Sequence, residues 1–491
     1  MNARIALVAL AASAGALAQP FEAPPPPGPP RPLVIAAPQV ATLDNGMRVV
    51  VAARRGLPLV TAELVIRSGS ETDPASLAGL ADITATLLTK GTAKHTAPQI
   101  AEAAEALGGT LDSGAGWYRA TVSMTVTKPK AAAALALIAE VARTPRFAQA
   151  ELDRARRLAV DGLSVALRDP GRLAAMAADR AAFGQGAFGH PAHGTQASLT
   201  LISRADVVAQ HARYYRSDNA TLVFVGDIDM KEARALAQRA FGDWKRPQAA
   251  MPAIGRDDAR TQAGPPIVIA MKGAGQAGVA MVGPTIARSS PDYFTGVVAN
   301  ALLGGGYSSR LNQEIRIKRG LSYGIFSRLD ARKSGGVWAI GAQTKNESAP
   351  ELVAVVQDEI RRIGDMPAPA EELEARKLTV IGAVSRRLET TEDLASTLAA
   401  FEGYGVPLAE LTTTIGKLSA VTAQQVVDYA RKHWEPGTLS IVIAGDADKF
   451  IDALRAKYPD LRVIAQDSVD LDRADLTRPA GRESKGKGAS R

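Results

Sequence analysis

Two stretches in opposite halves of this chain share one pattern, and that duplication limits the fold more than any other feature. "SRADVVAQHARYYRSDNATLVFVGDID" begins at Ser203 and "TAQQVVDYARKHWEPGTLSIVIAGDAD" at Thr422, and the two align without a gap. Ser203 and Thr422 are N-cap residues by type, Val207-Val208 matches Val426-Val427, and Gly226-Asp227 matches Gly445-Asp446. Each stretch reads as a helix, a turn, an apolar strand and a Gly-Asp stop before another helix. Self-similarity on this scale points to two homologous units.

The order of elements around the repeat agrees. In the first half "MRVVVAAR" and "LVTAELVIRSG" read as strands, and the helix after Thr96 opens on a capping box with Gln99. "WYRATVSMTVT" alternates Tyr118, Ala120, Val122, Met124 and Val126 against Arg119, Thr121, Ser123 and Thr125, a half-buried strand. The second half repeats the order with strands at "PIVIAM", "GVAMVGPTI", "LSYGIFSRLDA" and "GVWAIGAQTK" and helices around Val297 and Leu311. The expected class is α+β: two homologous domains, each a mostly antiparallel sheet covered by helices.

The chain has 491 residues, and its 46% hydrophobic and 22% charged content is that of globular domains. No cysteine is present, which removes disulfides, thiolate metal sites and a Cys nucleophile. A net charge of +8 comes from scattered Lys and Arg without aromatic interleaving, so nucleic acid is not an expected partner. Arg4, the run "IALVALAASAGALA" and the A-x-A at Ala16 to Ala18 read as a signal peptide cut after Ala18, which places the mature chain in the periplasm or another exported location. That run is short for a membrane span, and no other long apolar stretch follows. The expected organisation is a signal peptide at 1–18, a Pro-rich tether at 19–39, an N-terminal domain at 40–245, a linker at 246–266, a C-terminal domain at 267–460 and a polar, disordered tail at 461–491.

One helix bears on chemistry. "GLADITATLLTKGT", from Gly79, carries Leu80, Ile83, Leu87 and Leu88 at helical spacing, with Asp73 as expected N-cap, Pro74 at the first helical position and Gly91 as the stop. Asp82, Ala85 and Thr86 share one face of it.

This stretch resembles the zinc-binding helix of the pitrilysin/insulinase metallopeptidases, whose inverted motif H-x-x-E-H is framed by a G-L-A start and a K-G-T end. The resemblance runs from about Val40 to Tyr458 and includes "LLGGGYSSRLNQEIRIKRGLSYGIFS" and "YYRSDNATLVFVGD". Asp82, Ala85 and Thr86 stand where the family has its first His, its Glu and its second His. A methyl group cannot take a proton, and a neutral hydroxyl is a poor zinc ligand, so no intact catalytic or metal residue is expected in this helix. In the stretch "RRLAVDGLSVALRDP", Asp161 and Gly162 occupy the neighbourhood of the family's further Glu ligand. The "HPAH" run at His190 has i, i+3 spacing but is broken by Pro191 and reads as a loop.

The resemblance also implies roles for the C-terminal half. Arg316 and Tyr323, in "RIKRGLSY", match an Arg–Tyr pair that binds the substrate backbone and stabilises the transition state. Gly304, Gly305 and Gly306 match a glycine-rich segment facing the substrate chamber, as in the non-catalytic subunit of mitochondrial processing peptidase. A helix stop at Gly304 is the alternative. The chain is thus expected to be the non-catalytic subunit of an exported two-chain zinc peptidase, with no cofactor of its own. A homologous partner with an intact H-x-x-E-H would carry the zinc, and unstructured peptides would be the substrates. The other open reading is a stand-alone pseudopeptidase that binds peptides or acts as a scaffold.

Overall fold

The computed structural model describes residues 36–252 and 263–479. The signal peptide read at 1–18, the tether up to residue 35, the centre of the linker and the end of the tail lie outside the described residues.

The duplication in the sequence is a duplication of sheets. The first half supplies β1 (Gln39–Thr42), β2 (Arg48–Ala53), β3 (Leu59–Ile66), β4 (Asp112–Ala115), β5 (Ala120–Thr127) and β6 (Ala220–Gly226). The second supplies β7 (Ile267–Ala270), β8 (Ala277–Thr285), β9 (Ile325–Ala331), β10 (Gly336–Thr344), β11 (Ser440–Gly445) and β12 (Arg462–Ala465). Each half forms a 6-stranded sheet, ordered β1-β2-β6-β3-β5-β4 and β12-β7-β11-β8-β10-β9. β2 is parallel to β6 as β7 is to β11, and from β6 to β4 and from β11 to β9 the neighbouring strands run antiparallel. The gap-free repeat holds in three dimensions: helices Arg204–Tyr214 and Ala423–His433 both open on capping boxes, at Ser203 and Thr422. Each then leads through a short 3-10 turn into a strand of the parallel pair, β6 in the first sheet and β11 in the second.

The halves trade one helix each. Pro170–Phe183, from the first half, lies on β8 and β11 of the second sheet, and Thr391–Tyr404, from the second half, lies on β3 and β6 of the first. The central strands are therefore buried on both faces, which is why "ATLVFVG" and "SIVIAG" read as continuous apolar runs. The approach is close: a Cβ on Gly278 in β8 would sit 2.3 Å from the Pro170 carbonyl carbon, so only glycine fits there. On the other side, Glu402 carries the exchanged helix to the first sheet. Its carboxylate accepts from Arg48 Nε at 3.1 Å, Arg48 Nη2 at 3.0 Å and Thr221 Oγ1 at 2.9 Å. In the second half Trp338 and Trp434 stack with centroids 4.4 Å apart under β10, and both rings are buried. Such a pair contributes about 0.5–1.5 kcal/mol beyond its area.

Four expectations need correction. The tail does not begin at residue 461: β12 pairs in parallel with β7, and Leu471 and Leu476 are buried, because this polar stretch still carries apolar residues at core-facing positions. The tether ends earlier than residue 39, since Gln39 already pairs with Val51. The helix after Asp73 is not continuous. A 3-10 turn, Ala75–Leu77, comes first, and the α-helix Leu80–Leu87 starts only after Gly79, at φ 90. Tyr323 lies before β9 rather than in it.

Candidate functional site

The motif helix Leu80–Leu87 is held at its start by a long-range cap. The Asp73 carboxylate accepts from the N–H groups of Gly79 and Ala81, both at 2.9 Å, and so satisfies two of the helix's open donors from outside it. Burial pushes the Asp73 pKa well above the usual carboxylate range, against those two hydrogen bonds. Gly79 is also where the 190–194 loop presses in, since a Cβ there would lie 2.9 Å from the His193 backbone.

On the motif face Ala85 is fully buried, while Asp82 and Thr86 are half-buried. Asp82 Oδ2 meets His193 Nδ1 at 3.1 Å. This hydrogen bond raises the His193 pKa above its ordinary value, although partial burial works the other way. The Ala85 carbonyl accepts from Ser113 Oγ at 2.9 Å, which ties the edge strand β4 to the helix. Asp161, on the neighbouring helix Gln149–Ala166, is exposed and forms no ion pair among the described residues. Zinc does not fit this arrangement: one position is a buried methyl, one a hydroxyl, and the acid is already engaged with an imidazole. Among the described residues no three His, Asp or Glu side chains come together in a group able to hold a metal ion.

Behind the helix a buried polar cluster joins the halves. Glu71 Oε2 accepts from Gly69 N at 2.9 Å, and Glu71 Oε1 has no partner among the described residues. Burial raises the Glu71 pKa to about 7, with Lys333 from the other half opposing it. Lys333 lies 4.9 Å over the Tyr118 ring, and Arg332 lies 4.1 Å over Phe188 and 5.2 Å over Trp117. Neither Glu71 nor His193 as a partner of Asp82 was singled out from sequence. The nearest signal for the latter was the "HPAH" run itself.

Arg316 lies in a π-helical turn, Gln313–Lys318, a local widening often found at functional sites. Its cationic neighbours are all paired. Arg310 bonds Glu372 at 2.8 Å, Lys318 bonds Glu314 at 2.5 Å, and Arg319 reaches Glu314 at 3.4 Å. Arg316 alone of the four has no acid among the described residues, and its guanidinium rests 4.6 Å from the Tyr307 ring centroid. Tyr323 is 89% exposed and its hydroxyl has no partner among the described residues. Tyr307, which Arg316 faces, and Ile317 and Phe326, close in sequence to Arg316 and Tyr323, are likewise large apolar side chains left 60%, 55% and 61% exposed.

The glycine-rich segment has a packing explanation at two of its three positions. The Gly304 carbonyl accepts from Ser327 N at 2.9 Å, and a Cβ on Gly304 would lie 2.6 Å from Ser327 Oγ. A Cβ on Gly305 would lie 3.0 Å from the Ala301 Cα, whereas Gly306 faces open space. The Asn312 carboxamide donates to Ile325 O at 2.8 Å and accepts from Ile325 N at 3.2 Å, and Asn300 Nδ2 donates to Ser327 O at 3.1 Å. The outer edge of β9 is thus occupied by side chains and by Gly304. Among the described residues β4, beside the motif helix, pairs with β5 alone.

Comparison with known proteins agrees with this geometry. Residues 48–195 match the family model described as insulinase (peptidase family M16), and residues 201–380 match that of the peptidase M16 inactive domain. A Mycobacterium leprae protein named an uncharacterised zinc protease is 27% identical over 388 residues, covering 78% of this chain and 86% of its own length. A Helicobacter pylori protein named a non-peptidase homologue is 22% identical, covering 80% of this chain and 90% of itself. The crystal structure of a peptidase M16 inactive domain from Pseudomonas fluorescens is 27% identical with a TM-score of 0.77, covering 84% of this chain and 98% of that one.

Proposed function

The chain belongs to the insulinase family, peptidase family M16, as a non-catalytic member, and on that premise we propose that it is one subunit of an exported two-chain zinc peptidase. A homologous partner with an intact H-x-x-E-H holds the zinc, and this chain lends Arg316 and Tyr323 to the substrate. The observation that carries the reading is the contrast between two sites. Asp82, Ala85 and Thr86 cannot perform the family's chemistry, yet Arg316 is left without an acid among paired cations and Tyr323 is open to solvent. A planar guanidinium donates two N–H groups to a peptide carbonyl or the oxyanion that forms from it, and a phenol donates one more. Contacts to backbone and apolar contacts on Tyr307, Ile317 and Phe326 suit unstructured peptides of varied sequence. The apolar run ending at Ala18 supports an exported chain that starts at Gln19.

Relatives named zinc proteases support a peptidase assembly, and the relative named a non-peptidase homologue supports a subunit without the chemistry. The test is to purify this chain alone and together with a neighbouring homologue that keeps H-x-x-E-H. The reading expects a stable pair that cleaves a fluorogenic unstructured peptide, and a chain that is inactive alone.

A second reading is a stand-alone peptide-binding pseudopeptidase. The position of β4 at the edge of the sheet, with no strand beyond it among the described residues, favours it, because an extended peptide can add there as a further strand. Peptide binding by the chain alone, with no homologue recovered from the periplasm, would select it.

A further inference from the structure

The second half contains a cavity of about 340 Å³ that neither the family chemistry nor the pair Arg316 and Tyr323 uses. Helix Tyr293–Leu303 contributes Phe294 and Val297, helix Ala370–Arg386 contributes Val380 and Val384, and the exchanged helix contributes Phe401. All five are half-buried and line the cavity. This is the size and lining of a small-molecule site, mostly apolar with a few convergent polar groups.

The polar groups gather near Tyr293. Arg288 lies 3.7 Å over the Tyr293 ring and pairs with Glu410, and Glu410 is also 3.4 Å from Lys417. Arg387 lines the same cavity and forms no ion pair among the described residues. Asp330 is taken up by Arg332 at 3.0 Å. Of the charged side chains that line the chamber, Arg288 is thus paired with Glu410 and Asp330 with Arg332, which leaves Arg387 without an acid among the described residues. That unpaired positive charge calls for an anion with an apolar body.

We propose that this cavity binds a small aliphatic carboxylate, its tail between Phe294, Val297, Val380 and Phe401 and its head on Arg387 and Arg288. The proposal does not depend on the peptidase assembly.

The test is isothermal titration calorimetry on the mature chain with decanoate and with decanol. Decanoate should bind saturably at one site, about tenfold tighter than decanol, the value of one charge-assisted contact. Arg387→Glu, at an exposed position, should weaken decanoate about tenfold, leave decanol unchanged and keep the melting temperature. Val297→Phe, if folded, should lose both ligands by filling the chamber. No saturable decanoate binding, equal affinity for decanol, an unaffected Arg387→Glu or full affinity in a folded Val297→Phe would each overturn the assignment.

Discussion

Asp82 Oδ2 lies 3.1 Å from His193 Nδ1, across the gap between the motif helix and the 190–194 loop. A helix that in its relatives' motif presents two imidazoles and a glutamate here presents an acid that holds an imidazole from elsewhere.

The first prediction concerns that pair. His193 gains an acceptor on folding, so its pKa lies above the ordinary value near 6.5, and the stability it adds is present below that value and lost as pH rises through the folded pKa. The contribution is small because the ring is largely exposed. Histidine NMR titration should show an elevated His193 pKa that falls to the ordinary range in Asp82→Asn. An unchanged titration would mean the contact does not persist in solution.

The purified chain should carry no stoichiometric zinc after dialysis, because Asp82 and Thr86 replace both imidazoles. Elemental analysis checks this. One zinc per chain, lost in Asp82→Ala, would show that the degenerate helix still binds metal.

Glu71 gives the chain a pH dependence of opposite origin to the usual acid denaturation. Its folded pKa is raised from 4.5 to about 7 by burial, so its neutral form is the one the fold tolerates. The unfolded carboxyl ionises first. The resulting loss of stability sets in above about 4.5 and grows until pH passes about 7. Glu71→Gln should remove that loss, so denaturant midpoints measured at pH 5 and pH 8 should differ less in the variant than in the wild type.

Glu402 tests the exchanged helix. Glu402→Ala leaves Arg48 and Thr221 without their acceptor under a buried interface, and Arg48 recovers some water because its side chain is 35% exposed. The expected cost is about 2–3 kcal/mol, below the full penalty for breaking a buried pair. Urea unfolding measures it. A change under about 0.5 kcal/mol would mean the helix is held by its apolar face alone.

The duplicated sheets were legible because their signals are local. The caps at Ser203 and Thr422, the Gly-Asp stops and the runs "ATLVFVG" and "SIVIAG" each fix their own element. The helix exchange was not. A continuous apolar strand announces that both faces are covered but not which helix covers them. The short edge strands β4 and β12 carry no usable periodicity. Asp73 was legible as a cap by type, but the helix it caps begins several residues further on, and only the folded turn at Ala75–Leu77 reveals that. The loss of the zinc motif could be read from residue types, while the His193 partner of Asp82 depends on a contact between distant segments. For Arg316 the decisive fact, that its neighbours Arg310, Lys318 and Arg319 are all paired, is tertiary.

The central claim is that Arg316 and Tyr323 act on a substrate whose zinc chemistry belongs to a partner. Its most direct test is steady-state cleavage of an unstructured fluorogenic peptide by the reconstituted pair, comparing wild type with Arg316→Ala, Arg316→Lys and Tyr323→Phe, each confirmed to pair and fold. The account predicts a loss of about 10²–10³ in kcat/KM for Arg316→Ala and a smaller loss for Tyr323→Phe, carried by kcat if the contacts strengthen in the transition state. Arg316→Lys should rescue poorly, because a point charge cannot replace a planar fork. Wild-type rates in correctly paired Arg316→Ala and Tyr323→Phe would contradict the claim and leave this chain as a wall of the chamber or a peptide-binding scaffold.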